Sequence, residues 1–326
     1  MRVCQIGCGG HARHVYRDSL LVCRKADPSL VLAACCDTDA ESAWSYARET
    51  GFQQAFTDYH TMLEAAAPDA VLLVTPYQVT DVLAADLLRR GVPTLIEKPP
   101  AETLAKMLAL IEIAQQTGTI HQVAYNRRHM PMVRELIGHV AGRTIQHIDF
   151  EMYRVNRRDP AFFSTAVHGF DLVRHLAGGE LLEMHAVYRP LENPGSVNAV
   201  FLCTFAGGIT AALTFCPMSG LVSEQVTVIA VNDTVLVDLP IWGERVHGGL
   251  LEHYHENRLI VRMTDADFPD GTSMVESNGF VSQLRVFLKR VDQGMIPEDS
   301  LASGLDASIL GECMRLGKTD YRRGEL

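Results

Sequence analysis

The first hundred residues alternate short, continuously apolar runs with segments of helical periodicity. The runs are VCQIG, VLAACCD, VLLVT and TLIEK, at residues 3–7, 31–37, 71–75 and 94–98. Helical patterns lie between and after them, at about 11–25, 40–50, 78–90 and 101–117. Strands of a parallel sheet are buried on both faces, and right-handed crossover helices join them. The alternation therefore predicts an α/β domain with a doubly wound parallel sheet.

The pattern changes after about residue 122. Long β-rich segments, such as IQHIDFEMYRV and QVTVIAVNDTVLVDL, follow one another with few helices between them, and two helical patterns close the chain at 279–293 and 299–317. This order predicts an α+β domain with a large, open and mostly antiparallel sheet. We assign residues 1–122 to the first domain and 123–326 to the second.

Residues 193–223 contain no Asp, Glu, Lys or Arg. A membrane helix needs about 20 apolar residues, so this stretch is long enough to be considered as one. However, Gly207 and Gly208 stand between the β-rich runs VNAVFLCTF and ITAALTFC, which is typical of a hairpin. We predict a buried hairpin here and no membrane partner.

Charge and cysteine content limit the classes of function. The chain has 326 residues and a formal net charge of -10, which disfavours non-specific binding to nucleic acid or anionic membranes. Its 8 cysteines include no CxxC pair, and several lie inside apolar runs, as reduced core thiols do. The amino-terminal residues MRVCQIGCGG do not resemble a signal peptide, so we expect a cytoplasmic protein.

The segment GCGGHA at residues 7–12 lies directly between a predicted strand and a predicted helix. It fits the dinucleotide-binding pattern G-x-G-x-x-G/A in that context. Gly7 allows the tight turn, Gly9 lets a pyrophosphate approach the backbone, and Ala12 permits close packing of helix and strand. The N–H groups of the helix start then face the phosphates. A plain strand-to-helix turn is the alternative.

Asp37 ends the second apolar run. A carboxylate there can accept hydrogen bonds from both ribose hydroxyls of the adenosine, and it would repel a 2′-phosphate. Thr38 and the absence of a neighbouring Arg also leave no positive charge to bind a 2′-phosphate, so we predict NAD rather than NADP. The alternative role of Asp37 is that of a helix N-cap.

The segment EKPP at 97–100 follows the last predicted parallel strand, at the edge of the sheet where ligands bind in such folds. The ammonium of Lys98 can hydrogen-bond a substrate hydroxyl and favour its alkoxide. The bond between Lys98 and Pro99 is a candidate cis peptide. A solvated strand end is the alternative interpretation.

Several motifs follow one another in a specific order along the chain: GCGGHA, Asp37, TPYQVT at 75–80, EKPPAETLAKMLALIEIAQQTG at 97–118, VAYNRRHMP at 123–131 and VHGFDLVRHLAGG at 167–179. In this order they resemble the Gfo/Idh/MocA family of NAD(P)-dependent oxidoreductases. The resemblance implies a Rossmann domain followed by a domain with a large open sheet. It also implies hydride transfer between nicotinamide and a sugar, inositol or related polyol. The implied assembly is a homodimer or homotetramer that covers the open sheet.

The resemblance also implies residue roles. Lys98 matches the catalytic lysine and His168 the catalytic histidine, which accepts a hydroxyl proton as the hydride leaves. Asp171, three residues after His168, shares its helix face. The residues assigned to substrate binding are Lys98, Arg128, Arg154, His168 and Asp171. The residues assigned to cofactor binding are Gly7, Cys8, Gly9, Gly10, His11, Ala12, Asp37, Thr38, Thr75, Pro76, Tyr77, Glu97, Lys98 and Asn126.

The chain departs from the family pattern near the proposed chemistry. Ser164 stands where an acidic residue often precedes the histidine, and Tyr77 and Thr80 replace the Asn and His of a T-P-N-x-x-H motif. These changes leave two other functions open. One is a non-catalytic nucleotide-binding sensor or regulator, and the other is redox-neutral glycoside cleavage or epimerisation with NAD recycled in each turnover.

Arginines and histidines elsewhere raise two further questions. If two of the five arginines at 127, 128, 154, 157 and 158 converge, they would bind a carboxylated or phosphorylated sugar; the simpler interpretation is solvated surface arginines. His253 and His255 alternate without a third ligand, so we assign no metal.

Overall fold

The computed structural model describes residues 1–158, 162–191, 196–241, 248–268 and 273–324. The chain divides into two compact units, which comprise Met1–Asn126 with Phe280–Leu305, and Arg127–Gly279 with Asp306–Leu326. The first unit therefore extends four residues beyond the boundary drawn from the sequence, and it also takes a segment from near the C-terminus.

The first unit contains a parallel sheet of six strands within residues 1–126. Its strands are β1 (Arg2–Ile6), β2 (Val31–Cys36), β3 (Gln54–Phe56), β4 (Ala70–Leu73), β5 (Thr94–Ile96) and β6 (His121–Val123), in the spatial order β3-β2-β1-β4-β5-β6. Its helices are α1 (Arg17–Ala26), α2 (Ala40–Thr50), α3 (Tyr59–Ala66), α4 (Tyr77–Arg89) and α5 (Leu104–Thr117). This is the strand order of the doubly wound dinucleotide-binding fold, so the predicted fold class is confirmed.

Local sequence explains most of these boundaries. The β4 strand consists of apolar side chains that are fully buried, as expected for a central parallel strand. Asp39 and Thr103 cap the amino ends of α2 and α5, and Gly118 ends α5 in the left-handed conformation. The helix predicted at 11–25 begins with a π-helical turn, Ala12–Tyr16, before α1. The short β3 and α3 were not predicted.

The second unit is built on a mixed sheet of nine strands among its described residues. These are β7 (Ile145–Tyr153), β8 (Leu181–Pro190), β9 (Val197–Phe205), β10 (Thr210–Cys216), β11 (Ser223–Ala230), β12 (Asp233–Asp238), β13 (Leu250–His255), β14 (Arg258–Thr264) and β15 (Asp320–Arg322). The spatial order is β14-β13-β12-β11-β7-β10-β9-β8-β15, and all neighbours are antiparallel except β7 and β10. The expectation of a large, mostly antiparallel sheet is thus confirmed.

The remaining helices are α6 (Pro131–Val140), α7 (Phe163–Ala177), α8 (Met274–Ser277), α9 (Phe280–Gln293) and α10 (Leu305–Leu316). The α7 helix lies directly on the sheet at Gly169, where an added Cβ would stand 2.3 Å from the ring of Phe150 in β7. A glycine is therefore needed at this position for the close approach. His168 precedes it and is buried.

The charge-free stretch forms strands, as predicted. Thr204 of β9 pairs with Thr210 of β10, and Gly207 and Gly208 make the turn with φ values of +90° and +84°. Phe201 and Leu213 on these strands are fully buried. Residues 193–195 lie outside the described part. No helix among the described residues has the length and apolar character that a membrane crossing requires.

The segment Phe280–Leu305 joins the first unit for two reasons. Its helix α9 packs against α1. It also extends the bonding of the edge strand β6, because the N–H of Val123 donates to the carbonyl of Asp299 at 2.7 Å. A distant segment that completes a sheet edge leaves no local mark in the sequence, so the predicted boundary did not include it.

Candidate functional site

The glycine loop turns tightly against the neighbouring strand. Gly7 has a φ of +96°, and its N–H donates to the carbonyl of Cys36 at 2.8 Å. An added Cβ at Gly7 would lie 2.0 Å from the carbonyl oxygen of Val74, whereas Cβ atoms at Gly9 and Gly10 would meet no atom within 4 Å. Gly7 is therefore required by the fold, while the space above Gly9 and Gly10 is open to a ligand.

Asp37 is oriented toward this loop. Its Oδ2 accepts the N–H of Cys8 at 2.8 Å, and its Oδ1 accepts the N–H of Asp39 at 3.0 Å. The cap of α2 is Asp39, whose side chain accepts the N–H of Ser42 at 3.2 Å. The alternative role of Asp37 as the helix cap is therefore wrong. Its half-buried carboxylate is fixed at the carboxyl end of β2, next to the exposed Thr38.

The thiols beside the loop are buried and inert. Burial raises the pKa of the Cys36 thiol to about 12. The pKa of Cys8 is also raised, by a hydrogen bond with Cys35 and by burial. Both side chains therefore stay protonated near neutral pH, which supports a packing role.

Glu97 and Lys98 follow β5 at the same edge of the sheet, and the bond between Lys98 and Pro99 is cis, as suggested by the sequence. Glu97 is buried and makes three contacts that sequence reasoning missed. Its Oε1 lies 3.1 Å from Nε2 of His11 and accepts the hydroxyl of Tyr16 at 2.6 Å. Its Oε2 accepts the main-chain N–H of Lys98 at 3.0 Å.

These contacts determine the charge of Glu97. Burial alone would raise its pKa, but His11, Lys98 and the hydroxyl of Tyr16 lower the pKa below the ordinary value. Burial and the neighbouring carboxylate raise the pKa of Tyr16 well above its usual range. Glu97 is therefore an ionised acceptor, and Tyr16 is a neutral donor.

The loop after β4 is closed by a threonine pair. The hydroxyl of Thr80 lies 2.9 Å from that of Thr75 and donates to the carbonyl of Pro76 at 3.1 Å. Thr80, which replaces the His of the T-P-N-x-x-H motif, is therefore a buried residue that stabilises this loop. Tyr77 begins α4 and is half-buried, and Asn126, at the end of the first unit, is fully buried.

In the second unit, Asp171 pairs with Arg128. The Nε and Nη2 of Arg128 donate to the two carboxylate oxygens at 2.8 and 2.5 Å, and both residues are buried. His168 lies one turn before Asp171 in α7. The substrate role assigned to Arg128 and Asp171 stays a prediction, and the structure shows a bidentate pair that attaches the start of this unit to α7.

Arg127 and Arg154 share one carboxylate. Arg127 donates to Glu224 at 3.0 and 2.6 Å, and Arg154 donates to the same group. Burial would raise the pKa of Glu224, but the two guanidinium groups lower it to about 2. The simpler interpretation of surface arginines is thus wrong for Arg127, Arg128 and Arg154, because buried carboxylates distant in sequence bind them.

Arg157 is half-buried and donates to the hydroxyl of Thr165 at 3.1 Å, on α7 one turn before His168. His253 and His255 both contact Asp233, at 2.7 and 3.1 Å. Asp233 also pairs with Arg143 at 2.8 Å. Among the described residues, no group of three or more His, Cys, Asp or Glu side chains is arranged to hold a metal ion.

The structure thus brings together the glycine loop, Asp37, Glu97 and the main chain of Lys98 at the carboxyl ends of parallel strands, within the first unit. His168, Asp171, Arg128 and Arg154 belong to the second unit. The His11–Glu97–Tyr16 contacts could not have been found by motif, since they join residues 86 and 81 positions apart.

Comparison with known proteins agrees with this arrangement. Residues 1–125 match a family model described as the GFO_IDH_MocA oxidoreductase family with an NAD-binding Rossmann fold. The chain is 24% identical over 293 residues to scyllo-inositol 2-dehydrogenase (NAD(+)) of Bacillus subtilis, covering 85% of this chain and 82% of that enzyme.

Two solved structures are similar over nearly the whole length. A dehydrogenase from Chromobacterium violaceum has a TM-score of 0.85 and 20% identity, covering 97% of this chain and 95% of that one. A Gfo/Idh/MocA family oxidoreductase from Vibrio cholerae has a TM-score of 0.80 and 21% identity, covering 97% of each chain. At these identities the likeness concerns the fold.

Proposed function

We propose that this chain, whose residues 1–125 match the model of the Gfo/Idh/MocA oxidoreductase family, is an NAD-dependent dehydrogenase for a sugar, inositol or related polyol. The observation that carries the proposal is the carboxylate of Asp37, which is fixed to the main chain of the glycine loop at Cys8. The polyol class is supported by the name of the B. subtilis relative, a scyllo-inositol dehydrogenase.

The residues of the loop fit a dinucleotide. The space above Gly9 and Gly10 is open on the side where a pyrophosphate would approach, and the π-helical turn and α1 begin directly after it. Asp37 would accept hydrogen bonds from the adenosine ribose and repel a 2′-phosphate, which favours NAD over NADP.

We assign the chemistry to Lys98 and His168. A bound nicotinamide supplies the hydride acceptor. Lys98, held at its main chain by Glu97, would donate a hydrogen bond to the reacting oxygen and stabilise negative charge on it. His168, buried in α7, would accept the hydroxyl proton.

The test is a fluorescence titration with NADH and, separately, NADPH, followed by a screen of inositols and sugars for NADH formation. We expect NADH to bind at least about tenfold more tightly than NADPH, which corresponds to ~1.4 kcal/mol. If neither nucleotide binds, the glycine loop is a structural turn and the proposal fails. If NADPH binds better, the role of Asp37 is wrong.

A second candidate rests on Ser164, which stands in α7 where the family pattern has an acidic residue. Without that acid, the protein could cleave or epimerise a glycoside with no net redox change, or only sense the nucleotide. Consumption of a sugar without accumulation of NADH would favour the redox-neutral reaction. NADH binding with no turnover of any substrate would favour the sensor.

We further propose that the protein is a cytoplasmic homo-oligomer. The large sheet exposes apolar side chains on adjacent strands, since Val187, Val200 and Leu202 are 59%, 38% and 53% exposed. A second copy would cover this face. Light scattering at working concentration should show a dimer or tetramer, and a monomer would contradict the proposal.

A further inference from the structure

A short chain of hydrogen bonds connects the glycine loop with Lys98. His11, which belongs to the loop, lies 3.1 Å from one oxygen of Glu97. The other oxygen accepts the main-chain N–H of Lys98 at 3.0 Å. The segment proposed to bind the pyrophosphate and the residue proposed for catalysis are thus attached to the two oxygens of a single carboxylate.

The charge on this carboxylate has to be compensated. The side chain of Glu97 is 8% exposed, and a buried carboxylate is costly unless neighbouring groups stabilise it. The hydroxyl of Tyr16 and the main-chain N–H of Lys98 are neutral donors. Among the residues that contact Glu97, His11 and Lys98 are the ones whose side chains can carry the opposite charge.

The imidazole of His11 has a defined position although it remains accessible. Its side chain is 47% exposed, so protons can exchange with solvent. Its ring makes edge contacts with the rings of Tyr16 and Phe280, at centroid distances of 5.9 and 6.5 Å. Glu97 and Tyr16 are thus titratable groups that face it, and α9 contributes the apolar Phe280.

We propose that His11 is a positioning residue that couples cofactor binding to the orientation of Lys98, an inference that rests on the dehydrogenase function proposed above. An anionic pyrophosphate at the loop would favour the protonated form of the neighbouring imidazole. The imidazolium would then form a stronger, charge-assisted bond to Glu97. Because Glu97 holds the Lys98 main chain, the lysine would be fixed when the cofactor is present.

The coupling is tested by isothermal titration calorimetry of NADH binding in two buffers of different ionisation enthalpy, near pH 7.5. The wild-type protein should take up part of a proton when NADH binds. His11→Gln keeps a neutral hydrogen-bond donor and should lose that uptake while still binding NADH. His14→Gln, which changes an exposed histidine on the same helical turn, should behave like the wild type.

Turnover gives a second measurement once a substrate is found. His11→Leu removes the contact with Glu97, and we expect kcat to fall by about tenfold to a hundredfold. NADH should also bind more weakly, because a cofactor that favours protonation of His11 loses that contribution to affinity when the imidazole is removed. His11→Gln should recover most of the loss, because it can again donate to Glu97.

The possible results separate the two proposals. If the wild type binds no NADH, the dehydrogenase function itself fails. If it binds NADH without proton uptake, or if His11→Gln retains the uptake, the coupling is overturned and the dehydrogenase function stands. An unchanged kcat in His11→Leu would overturn the positioning role in the same way.

Discussion

Alanine substitutions in the glycine loop should separate folding from cofactor binding. At Gly7 the φ of +96° and the 2.0 Å approach of a Cβ to the carbonyl oxygen of Val74 leave no room for a methyl group. At Gly9 no atom lies within 4 Å of the added Cβ, and φ lies outside the left-handed region. Gly7→Ala should therefore damage the fold, and Gly9→Ala should damage only the binding site.

The magnitudes follow from this geometry. A left-handed backbone costs a non-glycine residue about 1–2 kcal/mol. The clash adds to this cost, because it displaces Val74, whose N–H donates to Ile6 of β1 at 2.8 Å. We expect Gly7→Ala to lower the free energy of unfolding by at least about 2 kcal/mol. Gly9→Ala should change it by less than about 0.5 kcal/mol, but should weaken NADH binding at least about tenfold, or ~1.4 kcal/mol.

Urea unfolding measures the stability, and NADH fluorescence titration measures the affinity. Gly138→Ala in α6 is the matched control, because its Cβ also meets open space and its residue has no assigned role in binding. Wild-type affinity in Gly9→Ala would refute the inference that the loop contacts the cofactor. Wild-type stability in Gly7→Ala would refute the steric argument itself.

Three further predictions concern the cofactor, the lysine and the buried charges. Asp37→Ser combined with Thr38→Arg should shift the preference from NADH toward NADPH in the fluorescence titration, because the repulsion of a 2′-phosphate is replaced by attraction; an unchanged ratio of Kd values would contradict the assignment. Lys98→Ala should lower kcat about 10²-fold to 10⁴-fold while NADH still binds, and unchanged turnover would exclude a catalytic lysine. The pKa of Glu224 is about 2 in the folded protein and 4.5 ordinarily, so its ionisation stabilises the fold above pH 4.5, and this contribution is lost as the pH falls toward 2. The full loss amounts to about 3 kcal/mol, of which about 2 kcal/mol falls between pH 6 and pH 3. Urea unfolding over that range should show this loss in the wild type and not in Glu224→Gln.

Features that depend on adjacent residues were predictable from the sequence. The turn at Gly7, the hairpin at Gly207 and Gly208, and the cis bond before Pro99 each follow from the conformational preference of one or two residues. Asp37 was also placed correctly at the end of β2, because a strand's end is visible where its apolar run stops.

Features that depend on distant residues were not predictable. Arg127 pairs with Glu224, 97 positions away, and Arg128 pairs with Asp171, 43 positions away. Periodicity carries no information about such pairings, so the sequence left both a surface position and a role in substrate binding open for these arginines. His11 was found as part of the glycine motif, but its contact with Glu97 required the fold to bring β5 beside the loop.

The arginine pairs also bear on the class of substrate. An acidic sugar was considered because of arginines clustered in the sequence, and three of them are bound to buried carboxylates: Arg127, Arg128 and Arg154. Breaking a buried ion pair by removing one partner costs about 3–5 kcal/mol, and an incoming anion would have to offset a comparable loss. These residues therefore favour a neutral polyol.

Arg157 provides the test of this argument. It is half-buried, and its guanidinium contacts Thr165, on α7 one turn before His168. If the substrate is neutral, Arg157→Gln should leave kcat/KM within about twofold, or ~0.4 kcal/mol, because the glutamine can still donate a hydrogen bond to Thr165 and no charge on the substrate loses a partner. If the substrate is anionic and binds here, kcat/KM should fall by at least about tenfold, the loss expected for a charge-assisted hydrogen bond. A fall of that size, measured on the best substrate of the screen, would overturn the preference for a neutral polyol and identify Arg157 as the residue that binds the anion.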